Sequence, residues 1–590
     1  MRWFVATICV ALAVSHAARA DDWTTFYEES GFTRTPSYDE TVEYCQRLAD
    51  ASQWVHYTTF GTSPQGRPLP LVIVDRNSNF DARSVRETDN VVFLIQAGIH
   101  SGEIDGKDAG LMLIRDIAVR RDLDHLLDHV TILFMPIFSV DGHERSGLYN
   151  RINQNGPEEM GWRVTANNLN LNRDYLKADT AEMQAWLRLY REWLPEFFAD
   201  CHVTDGADYQ YVITYALELF GNMDEGLTEW TRDRYLAPLK NKMEKSRFPI
   251  IRYNSYRTRH VPASGINSWA APPRFSEGYT AIQNRPGLLI ETHMLKPYRA
   301  RVTGTYEMLR HTLEVLGDEH KALRKLCAEA DARAASPGFR NRRLPLAFKS
   351  GPDSVIIDFL GYKGTVEESD ITGGEWHRWD DKPVTMKIPY FNTQVDTADA
   401  RLPEAYIVPP EWGDVIDRIA LHGVVFNRLT APVDIEIDTY TFQNVKWQSL
   451  PYEGRHPLTY VTASMTETRR FPAGSIVIDM NQRASRVAAH ILEPNAPDSF
   501  LRWGFFDAVF EQKEYAESYV MEEVARDMLK NDPSLHTEFT EWKKQNVEAA
   551  ADPDRVRNWF YRRSPWWDDR MGIYPVGRIF DRATVTRILH

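Results

Sequence analysis

The sequence predicts an α/β protein, and three observations predict it. Between residues 22 and 336, short apolar runs alternate with stretches whose apolar residues recur at helical spacing. Three of those runs lead straight into acid or imidazole side chains: 91–97 into His100 and Glu103, 193–199 into Asp200 and His202, and 287–290 into Glu291 and His293. Beyond residue 345 the texture changes to half-exposed strands and amphipathic helices, as a following α+β region would read. In an open α/β sheet reactive groups gather beyond the carboxyl ends of the strands, so residues nearly 200 positions apart can share one site.

The elements follow in chain order. Met1-Arg2, an apolar stretch from Trp3 to Val14, and Ala18-Arg19-Ala20 form the charged start, apolar middle and small-residue site of a secretory signal, with cleavage after Ala20. The apolar stretch is too short to span a bilayer comfortably, which disfavours an anchor. A first helix is expected near Tyr38. Residues 71–74, 91–97 and 131–138 read as strands, with Pro136 marking the end of the third. Residues 109–118 form the helix after the first reactive loop, and 306–335 a long helix with Leu309, Leu313 and Leu316 on one face. The expected division is a signal at 1–20, a catalytic domain at 21–336, a linker at 337–345, and a C-terminal α+β region at 346–590 that divides near 475. Strands are expected at 355–360, 384–390, 433–441 and 475–479, with helices at 412–422 and across 513–550. The aromatic tail at 559–567 is expected to pack inward.

Composition narrows the function. The 590 residues are 43% hydrophobic and 26% charged, an ordinary soluble balance with enough apolar mass for a large core. The formal charge is -14, and no basic run is interleaved with aromatics, which argues against a nucleic-acid partner. Beyond the signal, Cys45, Cys201 and Cys327 remain, so at most one internal disulfide is available. Cys201 points to the opposite side of its strand from His202 and reads as a small buried residue.

His100 and Glu103 lie three apart in a Gly-Ile-His-Ser-Gly-Glu turn, where Gly98 and Gly102 permit a tight loop. Two His and one Glu make a catalytic zinc set that leaves a coordination position open, and a further carboxylate is then available as a base. In this order the chain resembles the zinc metallocarboxypeptidases of the carboxypeptidase A type. The resemblance runs from about Tyr38 to Tyr306 through Gly-x-His-x-x-Glu at 98–103, Val-Asp-Gly at 140–142, an arginine and Asn-Leu-Asn-Arg at 163–173, His202 and Glu291. It implies a mixed, mostly parallel central sheet flanked by helices, and a bacterial, secreted member with a C-terminal extension.

The resemblance implies that His100, Glu103 and His202 hold one Zn2+ per catalytic domain. It implies that Glu291 is the general base for a zinc-activated water. Arg163, with Arg151 as the alternative, would steady the oxyanion, where a fixed cation meets charge that develops only in the transition state. Asn172 and Arg173 would hold the substrate's terminal carboxylate, which the arginine fork grips bidentately. Tyr279 is the expected substrate-capping tyrosine. His293 is expected behind the site. If Arg252, Arg257 or Arg259 lines the specificity pocket, acidic C-terminal residues would be preferred. The implied partner is a peptide with a free C-terminal carboxylate, with no membrane association after signal cleavage; the sequence leaves the oligomeric state open. A zinc amidohydrolase of the same fold, acting on cell-wall peptides or acylated amino acids, is the alternative. A catalytically dead binding protein would require loss of a ligand or base, and none is lost.

Overall fold

The protein is described here by a computed structural model covering residues 23–253 and 255–589. The signal at 1–20 lies outside the described residues. Ten strands precede the long helix: β1 Val55–Thr62, β2 Pro68–Val74, β3 Val91–Gln96, β4 Val130–Met135, β5 Phe197–Thr204, β6 Ile213–Ala216, β7 Ile250–Arg252, β8 Ser255–Thr258, β9 Val261–Asn267 and β10 Gly287–His293. Eight of them form one mixed sheet in the order β1-β2-β4-β3-β5-β10-β6-β7. It is parallel through its centre, from β4 across β3 and β5 to β10, and antiparallel where β1, β2 and β6 join.

Local sequence sets the boundaries. Ser37 and Glu40 close a capping box that starts the helix Tyr38–Ala51, and Pro136 follows the last residue of β4. The apolar run at 193–199 differs from the expected strand. Helix Ala181–Trp193 ends with Leu194 in the left-handed region, Pro195 follows, and β5 begins only at Phe197. His202 therefore lies within β5, near its carboxyl end.

The parallel strands are buried on both faces, so alternate residues of β3 feed two cores. Val91, Phe93 and Ile95 pack with Leu111 and Ile114 of helix Asp105–Ala118 and with Leu309, Leu313 and Leu316 of helix Tyr298–Ala334. Val92 and Leu94 join Phe198, Trp186 and Tyr190 on the other face. That second core continues into Tyr406, Ile416, Val487 and Phe500 of the C-terminal region, which thus covers one face of the catalytic sheet.

Residues 337–345, expected as a linker, form a short helix, Pro337–Arg340, and the start of β11, Arg343–Ser350, with Phe339 and Leu344 buried in the same core. β11 pairs with β14, Gln394–Arg401. Between them a long hairpin, β12 Val355–Glu368 and β13 Glu375–Phe391, extends the β8–β9 pair into a four-stranded sheet. The six strands β15 Ala405–Val408, β16 Asn427–Arg428, β17 Val433–Trp447, β18 Leu458–Phe471, β19 Ile476–Asp479 and β20 Gly577–Ile579 form a further sheet. Helices Ser518–Asn531, Pro533–Gln545 and Pro553–Tyr561 pack around Met521, Leu535, Trp559 and Phe560, so much of the aromatic tail is buried, while Trp566 stays exposed.

Candidate active site and metal centre

The site is assembled at the carboxyl ends of β3, β5 and β10. β3 stops at Gln96; Gly98, with φ of 65°, turns the chain, and His100 and Glu103 follow before helix Asp105–Ala118 begins. In the parallel β5–β10 pair, His202 is directly opposite Glu291. All four side chains are buried.

Three donors face one point. His100 Nδ1 is 3.1 Å from Glu103 Oε1, His202 Nδ1 is 3.1 Å from Glu103 Oε2, and the two Nδ1 atoms are 3.3 Å apart. The far side of each ring is held by an acceptor: His202 Nε2 donates to Asp200 Oδ2 at 2.8 Å, and His100 Nε2 donates to Asn170 Oδ1 at 3.0 Å. Those acceptors suit protons on Nε2 and turn both Nδ1 atoms towards the Glu103 carboxylate, an arrangement that a bound cation would satisfy. Two imidazole nitrogens and one carboxylate suit zinc in type and number. Burial holds the His100 pKa down to about 4, which keeps the ring neutral. Burial opposes ionisation of Glu103, yet His100 and Arg151 pull its carboxyl well below the usual range. Burial also disfavours the charged form of His202, but the Asp200 carboxylate overrides it and raises the ring's pKa.

Glu291 is beside this centre with Oε2 lacking any hydrogen-bond partner. Burial pushes its pKa up to about 8; His202 opposes the rise, while Glu103 and Glu277 add to it. A cation on the three ligands would pull it down again. Arg151 and Arg163 each donate to Glu103 Oε1 at 2.8 Å and both line the cleft. Asn172 and Arg173 line the adjoining recess together with Glu291, and the Arg173 guanidinium lies 4.2 Å above the Phe275 ring. The C-terminal region holds this pair from behind: Arg173 Nε donates to the Tyr452 hydroxyl at 3.1 Å, and the Asn170 amide donates to Glu453 at 2.9 Å.

Tyr279 does not cap this cleft. It is 1% exposed, its ring packs against Trp186, Tyr190 and Tyr175, and its hydroxyl is shared between His422 Nδ1 at 2.9 Å and Gln283 at 2.8 Å. The tyrosine that does line the cleft is Tyr253, which follows β7. The arginines considered for specificity are also elsewhere: Arg252 donates to the Leu217 carbonyl, Arg257 covers Phe391, and Arg259 lines an outer part of the cleft near Tyr256. His293 is fully buried, 3.1 Å from the Ala207 carbonyl. Asp200 and Asn170 were given no role from the sequence, although each stands two residues before an assigned one; on a strand, that spacing puts Asp200 on the His202 face. Tyr253, Tyr452 and Glu453 carry no such local signal.

A buried His-His-Glu donor set beside an unpartnered carboxylate, at the carboxyl ends of a mixed α/β sheet, defines a metal-dependent hydrolase. Residues 41–192 match the zinc carboxypeptidase family, peptidase M14. It is similar to carboxypeptidase 2 of Trichophyton rubrum, at 23% identity over 495 residues, covering 80% of this chain and 84% of that protein. It is also similar to a probable carboxypeptidase 2 of Arthroderma benhamiae, at 23% identity, covering 79% and 85%. Among solved structures, a metallo-carboxypeptidase from Pseudomonas aeruginosa aligns at 16% identity with a TM-score of 0.37, covering 49% of this chain and 70% of that one. The named relatives favour peptide hydrolysis over the amidohydrolase alternative. The family uses zinc.

Proposed function

We propose that the chain removes single C-terminal residues from peptides, with His100, Glu103 and His202 holding zinc and Glu291 acting as the base. The observation that carries this is the register that sets Glu291, with its unpartnered Oε2, beside the converging His100, Glu103 and His202 donors. Bound there, zinc supplies Lewis acidity to the scissile carbonyl. Asn172 and Arg173 hold the terminal carboxylate, which fixes the last peptide bond over Glu291. Glu291 takes a proton from the attacking water at Oε2 and returns it to the leaving amine. Arg163, half exposed at the mouth, brings a fixed positive charge to the carbonyl oxygen as it becomes anionic. Tyr253 closes the substrate side.

We also propose that the chain is secreted or periplasmic. The Ala18-Arg19-Ala20 site after an apolar segment supports this. Among the described residues, no helix is long and apolar enough to cross a membrane.

The test is metal content and peptide hydrolysis on one preparation, wild type against Glu291→Gln. The expected result is one zinc per chain in both, release of single C-terminal residues by wild type, and a loss of about 100-fold or more in kcat for the variant. Zinc bound without release of any terminal residue would overturn the reading.

A further inference from the structure

The long helix Tyr298–Ala334 packs on the central sheet through Leu309, Leu313, Leu316, Leu323 and Cys327, an apolar stripe. One position of that stripe, between Leu316 and Leu323, is a histidine: His320, which is 8% exposed. An imidazole buried among leucines needs partners for both ring nitrogens. Its Nδ1 donates to the Gly317 carbonyl at 2.7 Å, which leaves the lone pair on Nε2. Among the described residues Nε2 has no hydrogen-bond partner; it lies 3.5 Å from Asp89 Oδ2. Asp89 stands two residues before β3, and His129 one residue before β4. His129 Nδ1 is also buried without a hydrogen bond, 4.0 Å from Asp89 Oδ1, and its ring stacks on His320 with centroids 3.8 Å apart. One donor atom from each of the three residues lies within 4.8 Å of the other two. Among the described residues, no lysine or arginine forms an ion pair with Asp89.

We propose that Asp89, His129 and His320 form a second cation site, for Zn2+, which latches the long helix to the amino ends of β3 and β4. Two imidazole nitrogens and one carboxylate are a zinc donor set. Donors bound at zinc distances around a tetrahedral ion stand about 3.4 Å apart, so the present gaps need close only slightly. The His129 side chain is 44% exposed, which gives its ring room to tilt from the stack towards the ion. The scaffold around the donors is fixed. The Val91 amide donates to the His129 carbonyl at 2.9 Å, so the sheet sets the spacing of the Asp89 and His129 segments. Arg324, one turn beyond His320, donates to the Thr88 carbonyl and holds the Asp89 loop against the helix. A proton on His320 would answer this geometry less well: 3.5 Å is long for a hydrogen bond, and His129 Nδ1 would stay unanswered. The site is at the opposite end of β3 from His100 and Glu103, roughly 17 Å away along the strand. It takes no part in hydrolysis and does not rest on that reading. Asp89 and His129 are partly exposed, so this ion is held more weakly than one at the buried centre. Dialysis against zinc-free buffer removes it and leaves the buried centre filled.

The test uses the full-length chain, first dialysed free of excess metal and then equilibrated with Zn2+ alone at up to about 100 μM. Wild type is expected to take up one further zinc per chain. His129→Ala, Asp89→Ala and His320→Leu are each expected to lose that uptake while hydrolysing peptides as wild type does. The first two alter partly exposed side chains, and the third completes the apolar stripe, so the set does not depend on one variant folding. A second readout needs no activity. In His100→Ala, where the buried centre is broken, added Zn2+ is expected to raise Tm, and the rise should vanish in His100→Ala/His129→Ala. No further uptake by wild type, or uptake that persists in Asp89→Ala and His129→Ala, would overturn the proposal, as would a Tm rise that survives in the double variant. If no peptide is cleaved yet the extra zinc depends on Asp89 and His129, the second site stands and the hydrolytic reading falls.

Discussion

At the scale of single residues, the site depends on which side chains have partners and which do not. Glu291 must be ionised to act as a base, and its burial raises its pKa, so kcat/KM is expected to fall as pH drops through the value that the loaded centre sets. A pH profile checks this: the acid limb should vanish from the residual activity of Glu291→Gln. Asp200 fixes the tautomer of His202, so Asp200→Asn is expected to weaken zinc affinity by about 10- to 100-fold, read by competition with a chelator. Glu182 offers a second pH effect, on stability. It is fully buried with both carboxylate oxygens unpartnered, and burial raises its pKa from 4.5 to about 7. The folded chain then binds the Glu182 proton more tightly than the unfolded chain does. Stability from this group is therefore present at low pH and lost as pH rises through about 7. Melting curves between about pH 5 and pH 8 should show wild type losing more Tm than Glu182→Gln.

At the scale of elements, much of the sheet was legible because its strands are short apolar runs that end in chemistry. The 98–103 turn, His202 and Glu291 could be read from residue type and order alone. Tyr279 could not, because a tyrosine that packs in a core and one that caps a cleft look alike until partners such as His422, 143 positions away, are placed. The strand expected at 193–199 began late because a left-handed Leu194 and Pro195 end the preceding helix inside that apolar run. The β12–β13 hairpin makes its own prediction. It is anchored by Phe359, which packs with Tyr209 and Tyr211, and by the Gln210 amide bonded to the Leu360 carbonyl at 3.0 Å. Phe359→Ala should cost about 3 kcal/mol locally. Limited proteolysis should then cut within the hairpin, and KM should rise through the adjoining β8–β9 pair, while zinc content stays constant.

At the scale of the molecule, the C-terminal region is part of the catalytic core. Its residues cover one face of the central sheet, and buried or partly buried polar contacts cross the boundary: Tyr279 with His422, Arg274 with Asp498 at 2.8 Å, and Asp179 with Arg455 at 2.7 Å. The change of texture after residue 345 was visible in sequence, but shared burial was not, because an apolar residue does not reveal which surface it will cover. A fragment ending at residue 336 would expose that face and strand those partners. It is expected to lack a cooperative melting transition, whereas the full chain melts in one main step by calorimetry; an independently folded fragment with activity would refute this.

The contact of Tyr452 and Glu453 with the Asn170–Arg173 segment carries a further consequence. Tyr452 is itself stacked on Trp503, with ring centroids 5.9 Å apart, so the hand that steadies the arginine is braced within the C-terminal region. On the proposed assignment the grip on substrate is encoded in two stretches of chain far apart, and only one of them carries the proposed zinc ligands. Exchanging only the 452–453 segment would leave the proposed metal centre in place but remove this support from Arg173. Variation around residue 452 is accordingly a dial on affinity that leaves the chemistry untouched.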